Sequence, residues 1–70
     1  MKIYYVVTPK LNSIPRYADE GDYTRVYNLV IQITDNHEVA ADASSWCELA
    51  TVGETYDSDF FTIEIIEDSE

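Results

Sequence analysis

RVYNLVIQIT, residues 25–34, is the stretch on which the reading of this chain turns. Tyr27, Leu29, Ile31 and Ile33 alternate with Asn28, Val30, Gln32 and Thr34, a period of two that predicts a β-strand with one buried and one mostly polar face. Immediately after it the period changes. DNHEVAADASSWCELATVG opens on Asp35 with Glu38 three residues later, the spacing of an N-terminal capping box. Val39, Ala40, Ala43, Trp46, Cys47 and Ala50 then share one arc of a helix, and Gly53 stands where a C-terminal cap belongs. The small alanines let this helix approach a sheet closely, and Trp46 brings most of its contact area.

Two further runs read as strands. KIYYVVT, residues 2–8, is apolar on both sides and ends at Pro9, which suits a central strand. FFTIEIIE, residues 60–67, turns Phe61, Ile63 and Ile65 inward and Thr62 and Glu64 outward. Residues 9–24 then form a long connection punctuated by Pro9, Asn12, Ser13, Pro15 and Gly21. Ser13 and Pro15 start a single helical turn through Tyr17, and Leu11 and Ile14 pin the loop to the core.

The expected fold is therefore α+β, in the order β-β-α-β. A three-stranded sheet carries one helix on one face, with the long loop between strands 1 and 2. The helix is a right-handed crossover that makes the last strand parallel to the second, and the first strand sits between them. The other sheet face carries Tyr4, Val6, Val30, Phe60 and Ile66, a patch that suits a partner or a second copy of the chain.

Seventy residues make one small domain, 1–70, which buries only about 60% of the surface its unfolded chain exposes. Cys47 is the single cysteine, so no internal disulfide forms, and a reducing, cytoplasmic setting is expected. The opening MKIYYVVTPK is too short for a signal-peptide core, and no stretch reaches the length of a membrane span. Residues 68–70 are expected to be loose.

Chemistry is sparse. Cys47 and His37 fall ten residues apart on one helix, about 15 Å along its axis, too far for a nucleophile–base pair. Asp35, His37, Glu38 and Asp42 lack the Cys/His pattern of a structural zinc site. ADEGDY and DSD lack the calcium-loop arrangement. Two glycines without a neighbouring lysine make no phosphate loop. Neither a metal nor a cofactor is expected, and the chain reads as no enzyme.

Charge remains. Fourteen acids against four Lys and Arg give a net −10, larger than the 2 to 8 of typical small domains. That excludes direct nucleic-acid binding, which needs cations on phosphates, and disfavours anionic membranes. A body of this length has a diameter near 28 Å, over which duplex DNA carries roughly 16 phosphates. Ten net charges are comparable with the face of DNA that a protein meets. Asp57, Asp59, Glu64 and Glu67 at one end, with Asp19, Glu20 and Asp22 in the long loop, are the candidate anionic array, and Glu54 adjoins it. Tyr17, Tyr23 and Tyr56, set beside acids in expected loops, offer contact area at low entropy cost.

Small size, strong acidity, a compact α+β core and the lack of a catalytic motif together resemble small acidic phage-encoded inhibitors of the anti-CRISPR and DNA-mimic type. The resemblance covers overall character. It implies a host-cell protein that binds the basic nucleic-acid channel of a host enzyme or CRISPR effector and excludes DNA. Two other readings stand beside it: a self-associating accessory module, burying Val6, Val30, Phe60 and Ile66 in a homodimer, and an acidic antitoxin-like partner of a basic toxin.

Overall fold

The computed structural model describes residues 2–68. They form four strands and two helices: β1 (Lys2–Pro9), β2 (Arg16–Asp19), α1 (Tyr23–Thr34), α2 (His37–Leu49), β3 (Thr55–Asp57) and β4 (Phe61–Asp68). The sheet order is β2-β1-β4-β3 and all three pairings are antiparallel. The class is α+β, as expected, but the three-stranded sheet with one helix in the order β-β-α-β is overturned, and so is the parallel pair.

The decisive correction is residues 25–34, which are helix. Val26, Leu29 and Val30 are buried on one side of α1, the spacing of a helical stripe. Local chemistry closes both ends. Asp22 accepts from the Arg25 amide as N-cap, and Asp35 takes the left-handed conformation (φ 54°) as C-cap, its amide donating to the Ile31 carbonyl. The second helix begins one residue later than Asp35 suggests, because Asn36 caps it: Asn36 Oδ1 accepts from the amides of Glu38 and Val39 at 3.0 and 3.2 Å. Its C-cap is Ala50, not Gly53, whose φ of 94° serves the turn into β3 instead.

The long connection is also corrected. Instead of a helical turn through Tyr17, Arg16–Asp19 pairs with β1. Leu11 and Ile14 do not pin the loop: they are 97% and 59% exposed. The three tyrosines expected in loops belong to elements: Tyr17 to β2, Tyr23 to the start of α1 and Tyr56 to β3.

Both helices lie on one side of the sheet. Tyr5, Val7, Ala18, Phe61, Ile63 and Ile65 face them and are buried, with Val26, Leu29, Val30, Ala40, Ala43 and Cys47 opposite. Aromatic contacts knit the layers. Tyr23 of α1 stacks on Tyr5 at 6.1 Å, and Trp46 of α2 meets Tyr56 at 5.5 Å, which in turn stacks on Phe61 at 5.9 Å. The helices are also tied to each other where Tyr27 Oη and His37 Nδ1 approach to 2.6 Å. Of the loose end expected at residues 68–70, Asp68 closes β4, while Ser69 and Glu70 lie outside the described residues.

Candidate functional site

The strand register fixes what the other sheet face displays. Tyr5 opposite Ile65 and Ala18 are buried, so their neighbours point away from the helices. One row across the open face runs Asp19, Tyr4, Ile66. The next runs Tyr17, Val6, Glu64, Thr55. A third runs Thr8, Thr62, Asp57. Tyr4, Val6 and Ile66, expected on this face, are on it. Val30 and Phe60 are not: Val30 is fully buried in α1, and Phe60, 61% exposed, precedes β4. Phe60 instead lines a groove of about 570 Å³ at one end of the sheet with Pro9, Leu11 and Ile33.

Four of the candidate residues thus come together on the open face: Tyr17, Asp19, Asp57 and Glu64. The others separate. Asp22 is occupied as the N-cap of α1. Glu54 Oε1 accepts from the Thr51 amide at 2.8 Å and the Thr51 hydroxyl at 2.9 Å, and these two bonds hold its carboxyl below the usual glutamate range. Tyr23 and Tyr56 pack toward the core. Burial, with the charge of Asp42 added, raises the Tyr56 hydroxyl. Glu20 and Asp59 are exposed in turns, and Glu67 is exposed opposite Ile3 on the helix-bearing side.

Charge is divided along the chain in a way the composition alone conceals. Residues 26–70 hold eleven of the fourteen acids and none of the four Lys and Arg, a formal −11 against +1 for residues 1–25. The fold keeps this division for the two arginines, which sit by β2 and α1: Arg25 Nε donates to the Tyr17 carbonyl at 2.8 Å and Arg16 reaches Gln32 at 3.4 Å. The two lysines meet the acidic side instead, Lys10 pairing with Asp57 of β3 at 2.8 Å and Lys2 standing in register with Asp68 of β4. The opposite half, built from α2, β3 and β4, carries Glu38, Asp42, Glu48, Glu54, Asp57, Asp59, Glu64, Glu67 and Asp68. Glu38, Asp42 and Glu48 of α2 are missing from the sequence-based candidates. The signal for them was present: no cation follows Arg25.

Cys47 is buried and its thiol is pushed up to about 11 by loss of solvent, which keeps it in the unreactive form. His37 is exposed in the first turn of α2 and engaged by Tyr27. Among the described residues no three His, Cys, Asp or Glu side chains converge as a metal site would need, and no helix is long and apolar enough to cross a membrane. No protein-family model matches the chain, and neither a curated protein nor a solved structure does.

Proposed function

We propose that the protein is an acidic inhibitor that occupies the basic nucleic-acid-binding surface of a host enzyme or CRISPR effector and keeps DNA or RNA off it. One observation carries this reading: α2, β3, β4 and the turns between them, residues 37–68, present nine carboxylates and hold no Lys or Arg of their own. Charge scattered only for solubility has no reason to separate in this way. The molecule is 34 Å long. Duplex DNA of that length carries roughly 20 phosphates, about half of them toward a protein on one side. The nine carboxylates of residues 37–68 come close to that number. Their summed field speeds encounter with a basic cleft and repels nucleic acid from it.

The test is a tagged pull-down from bacterial lysate, including a CRISPR-bearing strain, at low and high salt. Capture of a nucleic-acid-binding complex, reversed by added nucleic acid and by salt, is the expected result. Capture of a basic toxin instead moves the reading to an antitoxin-like partner. No basic protein captured at low salt ends both.

Self-association is a second reading, favoured by the uncovered Tyr4, Val6 and Ile66. A two-fold dimer on this face also brings two bodies of charge −10 together, which costs association free energy. Sedimentation at physiological salt distinguishes the readings, and a monomer at high concentration removes the dimer.

A further inference from the structure

We infer that the open sheet face is a platform for arginine side chains of the cationic partner. The inference rests on the proposed reading in that it assumes such a partner, and it names the face and the chemistry used.

Six residues compose the platform. Tyr4, Val6, Tyr17 and Ile66 form its apolar centre, with Asp19 beside Tyr4 on β2 and Glu64 beside Val6 on β4. Directly opposed residues of an antiparallel pair stand about 5 Å apart and diagonal ones about 7 to 8 Å. Tyr4 and Tyr17 are diagonal neighbours across β1 and β2, so one flat side chain fits over or between their rings. Each ring then has a carboxylate one strand or one row away. Tyr17 is 52% exposed and both acids are exposed.

Aromatic rings on an open sheet suit either of two flat partners, a nucleobase or a guanidinium. Charge decides between them. A base arrives with a phosphate, which Asp19 and Glu64 repel, while the lysines at this face are met by acids, Lys2 standing opposite Asp68 and Lys10 pairing with Asp57. A guanidinium stacks on a tyrosine face and presents a fork of N–H donors to a carboxylate at the same time. Lysine matches the charge but not the plane. The arginines of this chain do not compete for the site, because Arg16 and Arg25 are turned to Gln32 and to the Tyr17 carbonyl.

The test compares a short arginine-rich peptide with its all-lysine counterpart, by fluorescence anisotropy on the intact protein. Amide chemical shifts map the contact. The arginine peptide is expected to bind at least about fivefold tighter, the effect of two modest cation–π contacts. Shifts should centre on Tyr4, Val6, Tyr17 and Ile66. In the variant Tyr4→Leu/Tyr17→Leu, which keeps an apolar centre, the preference should collapse, with lysine binding unchanged and circular dichroism confirming the fold. Equal affinity for both peptides overturns the inference and leaves the acidic-inhibitor reading intact. Shifts confined to α2, or binding of neither peptide, also overturn it. An arginine preference without any basic target captured from lysate supports the platform and retires the inhibitor reading.

Discussion

The ring of Tyr56 lies 5.5 Å from that of Trp46 and 5.9 Å from that of Phe61, so it bridges α2 to β4 from a strand of only three residues. A residue that looks like an interface tyrosine in sequence is therefore a clamp holding an edge strand. Tyr56→Ala is expected to cost about 2 to 3 kcal/mol, a large fraction of a small domain's stability. Tyr17→Ala, on the open face, should cost under about 0.5 kcal/mol. Urea denaturation of the two variants checks this, and similar losses for both contradict the assignment of faces.

The Asp35–Asn36 connection makes a second prediction. Asn36→Ala removes two amide bonds from the first turn of α2 and should cost about 1 kcal/mol. Asp35→Gly should be neutral or stabilising, since glycine adopts the left-handed conformation at Asp35 without the steric cost. If Asp35 were the N-cap, the order of these effects would reverse. Thermal unfolding of both variants separates the two.

Glu54 supplies a pH test. Its folded pKa is depressed by the Thr51 amide first and the Thr51 hydroxyl second. A depressed acid adds stability above its unfolded pKa, and that contribution is lost as pH falls through the folded value. In a carboxyl-detected NMR titration the Glu54 midpoint should therefore be acid-shifted. Thr51→Val removes the hydroxyl bond and keeps the amide bond, so it should move the midpoint part of the way back. A midpoint unmoved by Thr51→Val excludes the hydroxyl as a cause.

Cys47 makes a fourth. With the thiol at about 11 and the side chain buried, reaction with a disulfide reagent at neutral pH should proceed only as the domain opens. The labelling rate should climb with denaturant in step with unfolding. Rapid stoichiometric labelling of native protein is incompatible with the packing of α2.

How much of this was readable in the chain depends on the element. β1, β4 and α2 were legible within a few residues because each carries one unambiguous period. Residues 25–34 carry two. Tyr27, Leu29, Ile31 and Ile33 alternate as a strand, while Val26, Leu29, Val30 and Ile33 repeat as a helix, and the β-branched content favours the strand. The tie is broken outside the stretch, by Asp22 behind Gly21 (φ 86°) and by Asp35. β2 and β3 are too short, at four and three residues, to show any period. They exist because β1 and β4 offer them edges. Missing them hid what flanks Tyr4, Val6 and Ile66 on the open face, and with it the grouping of Tyr17, Asp19, Asp57 and Glu64. Of the α2 acids, Glu38 and Asp42 are weighed in the sequence only against a metal site and a capping box, not as part of the anionic array.

The two central strands of the sheet, β1 and β4, are the first and last elements of the described chain, paired from Lys2–Asp68 to Pro9–Phe61. A ribosome delivers them far apart in time. The β1–β2 hairpin and the α1–α2 pair are complete before β4 emerges, yet neither can bury Tyr5 and Val7 against Ile63 and Ile65 until it does. Joining strands about sixty residues apart makes one large loop-closure step that waits for β4. A nascent chain halted before Phe61 is thus expected to expose its half-built core to proteases, and release of the last strand is the event that protects it.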